Sequence, residues 1–364
     1  MSATIDRSGW KRVRLGDIAG DIRTGKRNGN EHITNGKYPF FIRSQEVQRI
    51  NSYSYDGEAI LIPGEGGIGN IFHYIKGRFD FHQRVYKVSS FSREVNAKFL
   101  FYCMQRNFGP WALSQTSKAA VDSIRMATLQ QFELALPPMT VQNKIYTALT
   151  SIDTHISALQ SLIAKYEAIK KATVNLVLKP KVAWRQISLG DIGDVLMCKR
   201  ILKNQTTKTG DVPFYKIGTF GRTPDSFISR ALFEDFKARF AYPQKGDVLL
   251  SAAGTIGRTV VFNGEDAYFQ DSNIVWIDND ERAVTNRFLN VLYGQMNWQT
   301  ENGGTVSRLY NANIRNTKIK IPSLSEQKRI VAILDSIDGT INGLKSQLAK
   351  AQDIKQGMMS YFFG

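Results

Sequence analysis

The segment Trp10-Lys11-Arg12-Val13-Arg14-Leu15-Gly16-Asp17-Ile18 returns 174 residues later as Trp184-Arg185-Gln186-Ile187-Ser188-Leu189-Gly190-Asp191-Ile192. At the same offset Pro39-Phe40-Phe41 meets Pro213-Phe214-Tyr215. Gly66-Gly67-Ile68-Gly69 matches Gly254-Thr255-Ile256-Gly257, and Phe81 matches Phe269, at an offset of 188. Leu136-Pro137 with Gln142 matches Ile321-Pro322 with Gln327 at 185. Landmarks that keep their order while the offset drifts are what insertions in surface loops produce. The chain is therefore a tandem duplication of roughly 180 residues, and each copy has to build its own core.

Each copy ends in a long helical pattern. Ile145, Leu149, Ile152, Ile156, Leu159, Ile163 and Tyr166 step alternately by four and three. Ile330, Leu334, Ile337, Ile341, Leu344, Leu348 and Ala351 repeat those steps at a constant offset of 185. A period of 3.5 is the seam of a coiled coil, whereas a helix lying on a globular core drifts toward 3.6 and carries a wider apolar face. Pro137-Pro138 and Pro322 stand just upstream, where they end the preceding strand and set each helix start. A helix from Gln142 to Leu178 is about 55 Å long at 1.5 Å per residue.

Between the helices the pattern is mixed. Ala59 to Ile62 and Asp247 to Ser251 are short apolar runs closed by Gly turns, and Phe79 to Phe81, Arg84 to Val88 and Asn273 to Ile277 read as strands. Lys98 to Gln105 and Asn286 to Met296 read as helices. The expectation is an α+β chain with two mixed globular parts, residues 1–140 and 181–325, and two helical segments, residues 141–180 and 326–364.

Charge narrows the function. Lysine and arginine outnumber aspartate and glutamate by 16, which points first to a polyanion. Twelve of those excess charges lie in the two globular parts, so these, and not the helices as in a basic zipper, are the expected DNA-facing elements. Candidate contacts lie in loops where cations mingle with side chains able to read base edges. They are Arg43, Ser44 and Gln45; Lys216 and Arg222; Thr116-Ser117-Lys118 and Arg125; Arg258; and Thr305 to Arg308.

Catalytic signatures are missing. Gly64 to Asn70 resembles a phosphate cradle but lacks the Gly-Lys-Ser/Thr ending, and its second copy, Ala252 to Arg258, has lost the first glycines. A tight turn close to a ligand or another backbone accounts for both copies. The only Pro-Pro, Leu136-Pro137-Pro138-Met139, lacks the polar and aromatic neighbours of an adenine methyltransferase loop. Cys103 and Cys198 lie far apart, the four histidines are scattered, and no His/Cys/Ser pairing repeats across the copies. No catalytic residue, metal or cofactor is expected. With no apolar run of about 18 residues and no apolar signal core between Met1 and Trp10, the expected location is the cytoplasm.

Duplicated basic parts, each opening Trp-x-x-x-x-Leu-Gly-Asp-Ile and closing Leu/Ile-Pro-x-x-x-x-Gln before a heptad helix, resemble the specificity subunit of type I restriction–modification enzymes. The resemblance runs to the Lys355-Gln356-Gly357-Met358-Met359 ending. It implies two target-recognition domains, each reading one half of a bipartite, gapped DNA sequence, and two helices packed antiparallel as a spacer. The partners it implies are double-stranded DNA, two methyltransferase (modification) subunits that supply the adenine chemistry, and ATP-dependent restriction subunits in the full enzyme. If the second helix ends near Trp10, the molecule is pseudo-twofold and circular, and the helix pair is a ruler for the gap. Two rival readings stay open: a coiled-coil adaptor without DNA specificity, and a degenerate stand-alone methyltransferase or nuclease.

Overall fold

The computed structural model describes residues 7–115, 123–298 and 308–364. The chain divides into two units, residues 1–162 with 344–364, and residues 163–343. Both long helices are shared between them: Met139–Val177 and Leu324–Phe363 are each split near their middle.

The first unit holds β1 (Lys11–Arg14), α1 (Leu15–Ile18), β2 (Ala19–Thr24), β3 (Tyr38–Phe41), β4 (Gln48–Ile50), β5 (Tyr55–Pro63), β6 (His73–Phe81), β7 (Val85–Phe91), α2 (Ala97–Ser114), α3 (Met126–Gln130) and β8 (Glu133–Leu136). Six strands form one sheet in the order β2-β7-β5-β6-β3-β4, with β3 parallel to β6, and β1 pairs with β8. The apolar run Ala59–Ile62 is the fully buried middle of β5, flanked by β6 and β7. One sheet face packs on α2, whose Phe99, Leu100, Met104 and Phe108 are inaccessible. Asn96 caps α2 by accepting from the amides of Lys98 and Phe99.

In the second unit β9 (Arg185–Ser188), β10 (Val195–Leu196), β11 (Val212–Tyr215), β12 (Phe227–Ile228), α5 (Arg230–Arg239), β13 (Val248–Ser251), β14 (Thr259–Val261), β15 (Tyr268–Phe269), β16 (Ile274–Ile277), α6 (Asn286–Tyr293), α7 (Asn311–Asn316) and β17 (Lys318–Ile321) repeat the plan with α5 added, α4 being the long helix Met139–Val177 and α8 the long helix Leu324–Phe363. β9 pairs with β17 as β1 does with β8, and β11 runs parallel to β15 as β3 does to β6. One difference is physical. The continuous β6 becomes two strands, β14 and β15, because Asn263-Gly264-Glu265-Asp266 interrupts the ladder with Gly264 at φ +88°. The sheet accordingly splits into a four-stranded piece, β10-β16-β13-β14, and a three-stranded piece, β12-β11-β15.

The glycine segments are turns. Gly66 and Gly254 both sit at φ +64°, and Gly69 and Gly257 at +80° and +85°. A Cβ on Gly69 would lie 2.4 Å from the Gly109 Cα, so close backbone approach, not a nucleotide, requires that glycine.

Helix starts are pinned by a duplicated clamp. The wholly buried Gln142 accepts from the Asn96 amide and donates to the carbonyls of Glu94 and Pro137. Gln327, equally buried, accepts from the Thr285 amide and donates to the carbonyls of Ala283 and Pro322. Each glutamine thus satisfies three backbone groups that would otherwise be buried unpaired.

In the first unit Ile145 and Leu149 of α4 share a core with Met359 and Phe363 of α8, and Asp153 pairs with Lys355 at 2.7 Å. Arg7 donates to the carbonyls of Tyr361 and Phe362, so the end of α8 lies beside the entry to β1. In the second unit Val174 of α4 shares a core with Ile330 and Leu334 of α8, and Lys170 pairs with Asp338 at 2.6 Å. Of the seam residues, Ile145, Leu149, Leu159, Ile163, Ile330, Leu334 and Ile341 are buried, and Ile152, Ile156, Ile337, Leu344 and Leu348 are half-buried.

Candidate nucleic-acid interface

The same corner of each unit gathers polar and basic side chains, at the ends of the parallel strand pair. In the second unit it is a cleft of about 640 Å³ between the end of β11, the turn after β15 and the segment following β10. Lys216, Arg308, Arg200, Lys203, Gln270, Asp271 and Asn273 line it. The turn Asp271-Ser272-Asn273 is held in an uncommon shape, with Ser272 at φ +53°. Its amide donates to the Met197 sulfur at 3.2 Å and its carbonyl accepts from the Arg308 guanidinium at 2.8 Å. Gln270 accepts from the Ile217 amide at 2.9 Å, which fixes the end of β11 against that turn.

In the first unit the corresponding corner is internally neutralised. Arg27 donates to Glu31, to Ser52 and to the buried Asp80. Arg43 and Arg84 both donate to Glu65, and these partners, Arg84 first, hold the Glu65 carboxyl below the usual carboxylate range. Burial, reinforced by Arg43 and Arg84, lowers the His82 pKa and keeps its ring neutral near neutral pH. Gln83 donates to the Asn28 side chain at 2.9 Å.

Of the residues expected from sequence, Lys216 and Arg308 meet in the cleft, but both carry protein contacts: Lys216 pairs with Asp225 at 2.8 Å and Arg308 holds Ser272. Arg258 is half-buried and donates to the Phe220 carbonyl at 3.0 Å, which steadies the turn after β11. Arg222 lies in a separate hollow of about 220 Å³ with Tyr215, Phe220 and Asp266. Arg43 is tied to Glu65, Ser44 is half-buried with its hydroxyl accepting from the Glu46 amide, and Gln45 is exposed at the turn tip. Arg125 is exposed at the start of α3. Thr116, Ser117 and Lys118, and Thr305, Val306 and Ser307, lie outside the described residues.

Sequence reasoning missed Arg200, Lys203, Asp271 and Asn273. A signal for the first was present: Lys26-Arg27 and Lys199-Arg200 are the same element of the repeat, following Gly20-Asp21 and Gly193-Asp194. Among the described residues no group of three or more His, Cys, Asp or Glu side chains is placed to hold a metal, and no helix is long and apolar enough to cross a membrane. Both cysteines are buried, and burial raises their thiol pKa values to about 12.

The family model for the type I restriction modification DNA specificity domain matches the chain twice, over residues 7–169 and 181–351. The chain belongs to that specificity-subunit family. A Haemophilus influenzae protein assigned as a type I restriction enzyme specificity subunit is 39% identical over 97% of this chain and 93% of its own length. The Escherichia coli EcoDI specificity subunit is 29% identical over 44% of this chain and 34% of its own. The crystal structure of a type I restriction–modification S subunit from M. genitalium has the same fold, with a TM-score of 0.67 at 15% identity over 100% of this chain and 98% of that one. A chain from a structural study of type I system assembly and conformational transition matches with a TM-score of 0.55 at 16% identity, over 98% of each. As a specificity subunit the chain is a DNA-recognition component and performs no catalysis itself.

Proposed function

We propose that each globular part, residues 1–140 and 181–325, reads one half of an asymmetric, gapped DNA site. The observation that carries this reading is the duplicated corner: one architecture, presented twice, with different side chains on it. Arg27, Arg84 and Gln83 stand in one copy, and Arg200, Ser272 and Asp271 occupy the corresponding element of the other. Equal scaffolds with unequal readers give unequal half-sites.

Residues 141–180 and 326–364 form, in this reading, an antiparallel coiled coil that sets the gap and closes the molecule into a pseudo-twofold ring. Its support is local. From Asp153–Lys355 to Lys170–Asp338 the pairs advance 17 residues along α4 while receding 17 along α8, as antiparallel helices in constant register do. Arg7 on the last turn of α8 supports the closure.

The partners are DNA, two methyltransferase subunits and, in the full enzyme, restriction subunits. A second apolar row on the helices suits the methyltransferase subunits. Ile169 and Leu176 on α4 recur at the repeat offset as Ile354 and Tyr361 on α8, and all four are exposed. Spaced by seven, each pair occupies one helix face flanking the seam, and two equivalent pairs suit two copies of one partner.

The test is co-expression with the methyltransferase subunit in a methylation-free host, followed by genome-wide mapping of methylated adenines. The expected outcome is one asymmetric gapped motif, modified on each strand and lost when this chain is omitted. A soluble assembly that adds no methylation would favour the adaptor reading.

A further inference from the structure

Arg200 and Arg27 lie in the same element of the repeat, with one residue more before the following turn in the second copy, yet their surroundings are opposite. Arg27 is spent on the buried Asp80 and on Glu31. In the second unit the equivalents of those carboxylates are Tyr268 and Gln205: Tyr268 precedes Phe269 as Asp80 precedes Phe81, and Gln205 accepts from the Leu202 amide as Glu31 does from the Asn28 amide. The repeat has thus removed both anions and kept the cation. Arg200 lines the cleft with no carboxylate partner among the described residues.

Asp271 lines the same cleft, and its carboxylate likewise has no hydrogen bond or ion pair among the described residues. A free carboxylate opposes binding of a polyanion, so it adds nothing to phosphate contacts. What it can accept is a base amino group, and the matched recognition is Asp with the cytosine N4 amino hydrogens and Arg with the guanine O6/N7 edge. The turn that carries Asp271 is fixed by Arg308 at its carbonyl and by Met197 at its amide, as a group that reads an edge must be.

Resting on the reading of this chain as a bipartite DNA reader, we propose that the half-site of the second unit is read through Arg200 and Asp271, which recognise a guanine edge and a cytosine amino group in the major groove. Lys216 and Arg308 shape the cleft and do not read bases.

The test maps the methylated motif directed by the wild-type chain, Asp271→Asn and Arg200→Ala, each co-expressed with the methyltransferase subunit, and measures binding of a non-cognate duplex by each purified assembly over a salt series. For Asp271→Asn the expected result is loss of preference at one cytosine-bearing position of one half-site, by about tenfold to a hundredfold. The amide is nearly the same shape and can turn toward adenine. Non-cognate binding should tighten, because a negative charge has left the cleft. Arg200→Ala should relax one guanine position of the same half-site. An intact opposite half-site in both variants reports a folded, assembled protein. An unchanged motif for Asp271→Asn overturns the proposal. So does an Arg200→Ala variant that weakens all sequences alike with a shallower salt slope, the signature of a phosphate contact. If the wild-type chain directs no gapped motif, the reading beneath the proposal fails first, and that control separates the two failures.

Discussion

Lys87 lies in the sheet of the first unit with its side chain only 2% exposed, held by Asp21 and stacked over the Tyr55 ring at 3.6 Å. Asp21 is also held by Arg23 at 2.6 Å, and its carboxyl pKa falls to about 2, first through Arg23 and then through Lys87. The two partners are therefore unequal. Asp21→Ala strands a buried ammonium and is expected to cost about 3–5 kcal/mol, whereas Lys87→Met leaves Asp21 its arginine and is expected to cost less. Denaturant midpoints at unchanged slope check the order, and equal losses would contradict it. Because the folded pKa of Asp21 is depressed, its contribution is present above the ordinary carboxylate value of 3.8 and is lost as pH falls through about 2. The second unit has solved this position differently: Trp276 packs in the core on the strand matching β7, while Asp194, the repeat of Asp21, pairs with Arg315. The same backbone thus tolerates a buried ion pair in one copy and an aromatic in the other. Side-chain identity at such places is set by local compensation, which is why single-residue roles were the least legible feature of the sequence. Basic loop residues such as Arg43, Arg258 and Lys216 looked free because their partners, Glu65, the Phe220 carbonyl and Asp225, come together only in the fold.

The elements themselves were legible wherever one physical pattern dominated. Continuous apolar runs marked β5 and β13, and a Pro stop followed by a 3.5-residue period marked α4 and α8, which begin at Met139 and Leu324. The helix read as far as Met296 ends at Tyr293, where Gly294 follows. Strand order was not legible, because β3 beside β6 is a parallel pairing made across other strands, and no local pattern encodes it. What the sequence did carry, without explaining it, was the glutamine that follows each Pro by five residues. Gln142 and Gln327 fasten each helix start to the segment entering α2 or α6, so helix and sheet move as one piece. A rigid joint is what a ruler needs. Inserting four residues near Leu159 of α4, matched by four near Leu344 of α8, adds about 6 Å of helix. The expected outcome is a longer unspecified gap in the methylated motif with both half-sites unchanged. A motif with its original gap would sink the ruler.

At the scale of the whole molecule, duplication lets the two copies diverge in the side chains they present while sharing how they are built. Their cores are separate: β5, β7 and α2 close one, and β13, β16 and α6 close the other. The corner where strands end is one place where they diverge. The first unit balances its cations internally through Glu65, Asp80 and Glu31, and the second leaves Arg200 and Lys203 without ion pairs among the described residues. Replacing residues 1–140 by the first part of another specificity subunit should therefore change one half-site and leave the other half-site and the gap intact. The reason is physical independence: no core residue of the second unit is drawn from the exchanged segment, and the seam of α4 and α8 is retained. The replacement has to keep the contacts that α8 makes through Phe363 and the Arg7 bonds to Tyr361 and Phe362, since these belong to the core of the first unit. Methylation mapping of the chimera reads the result directly. If both half-sites changed together, recognition would be a property of the joined molecule and the corner of each unit would not be its reader.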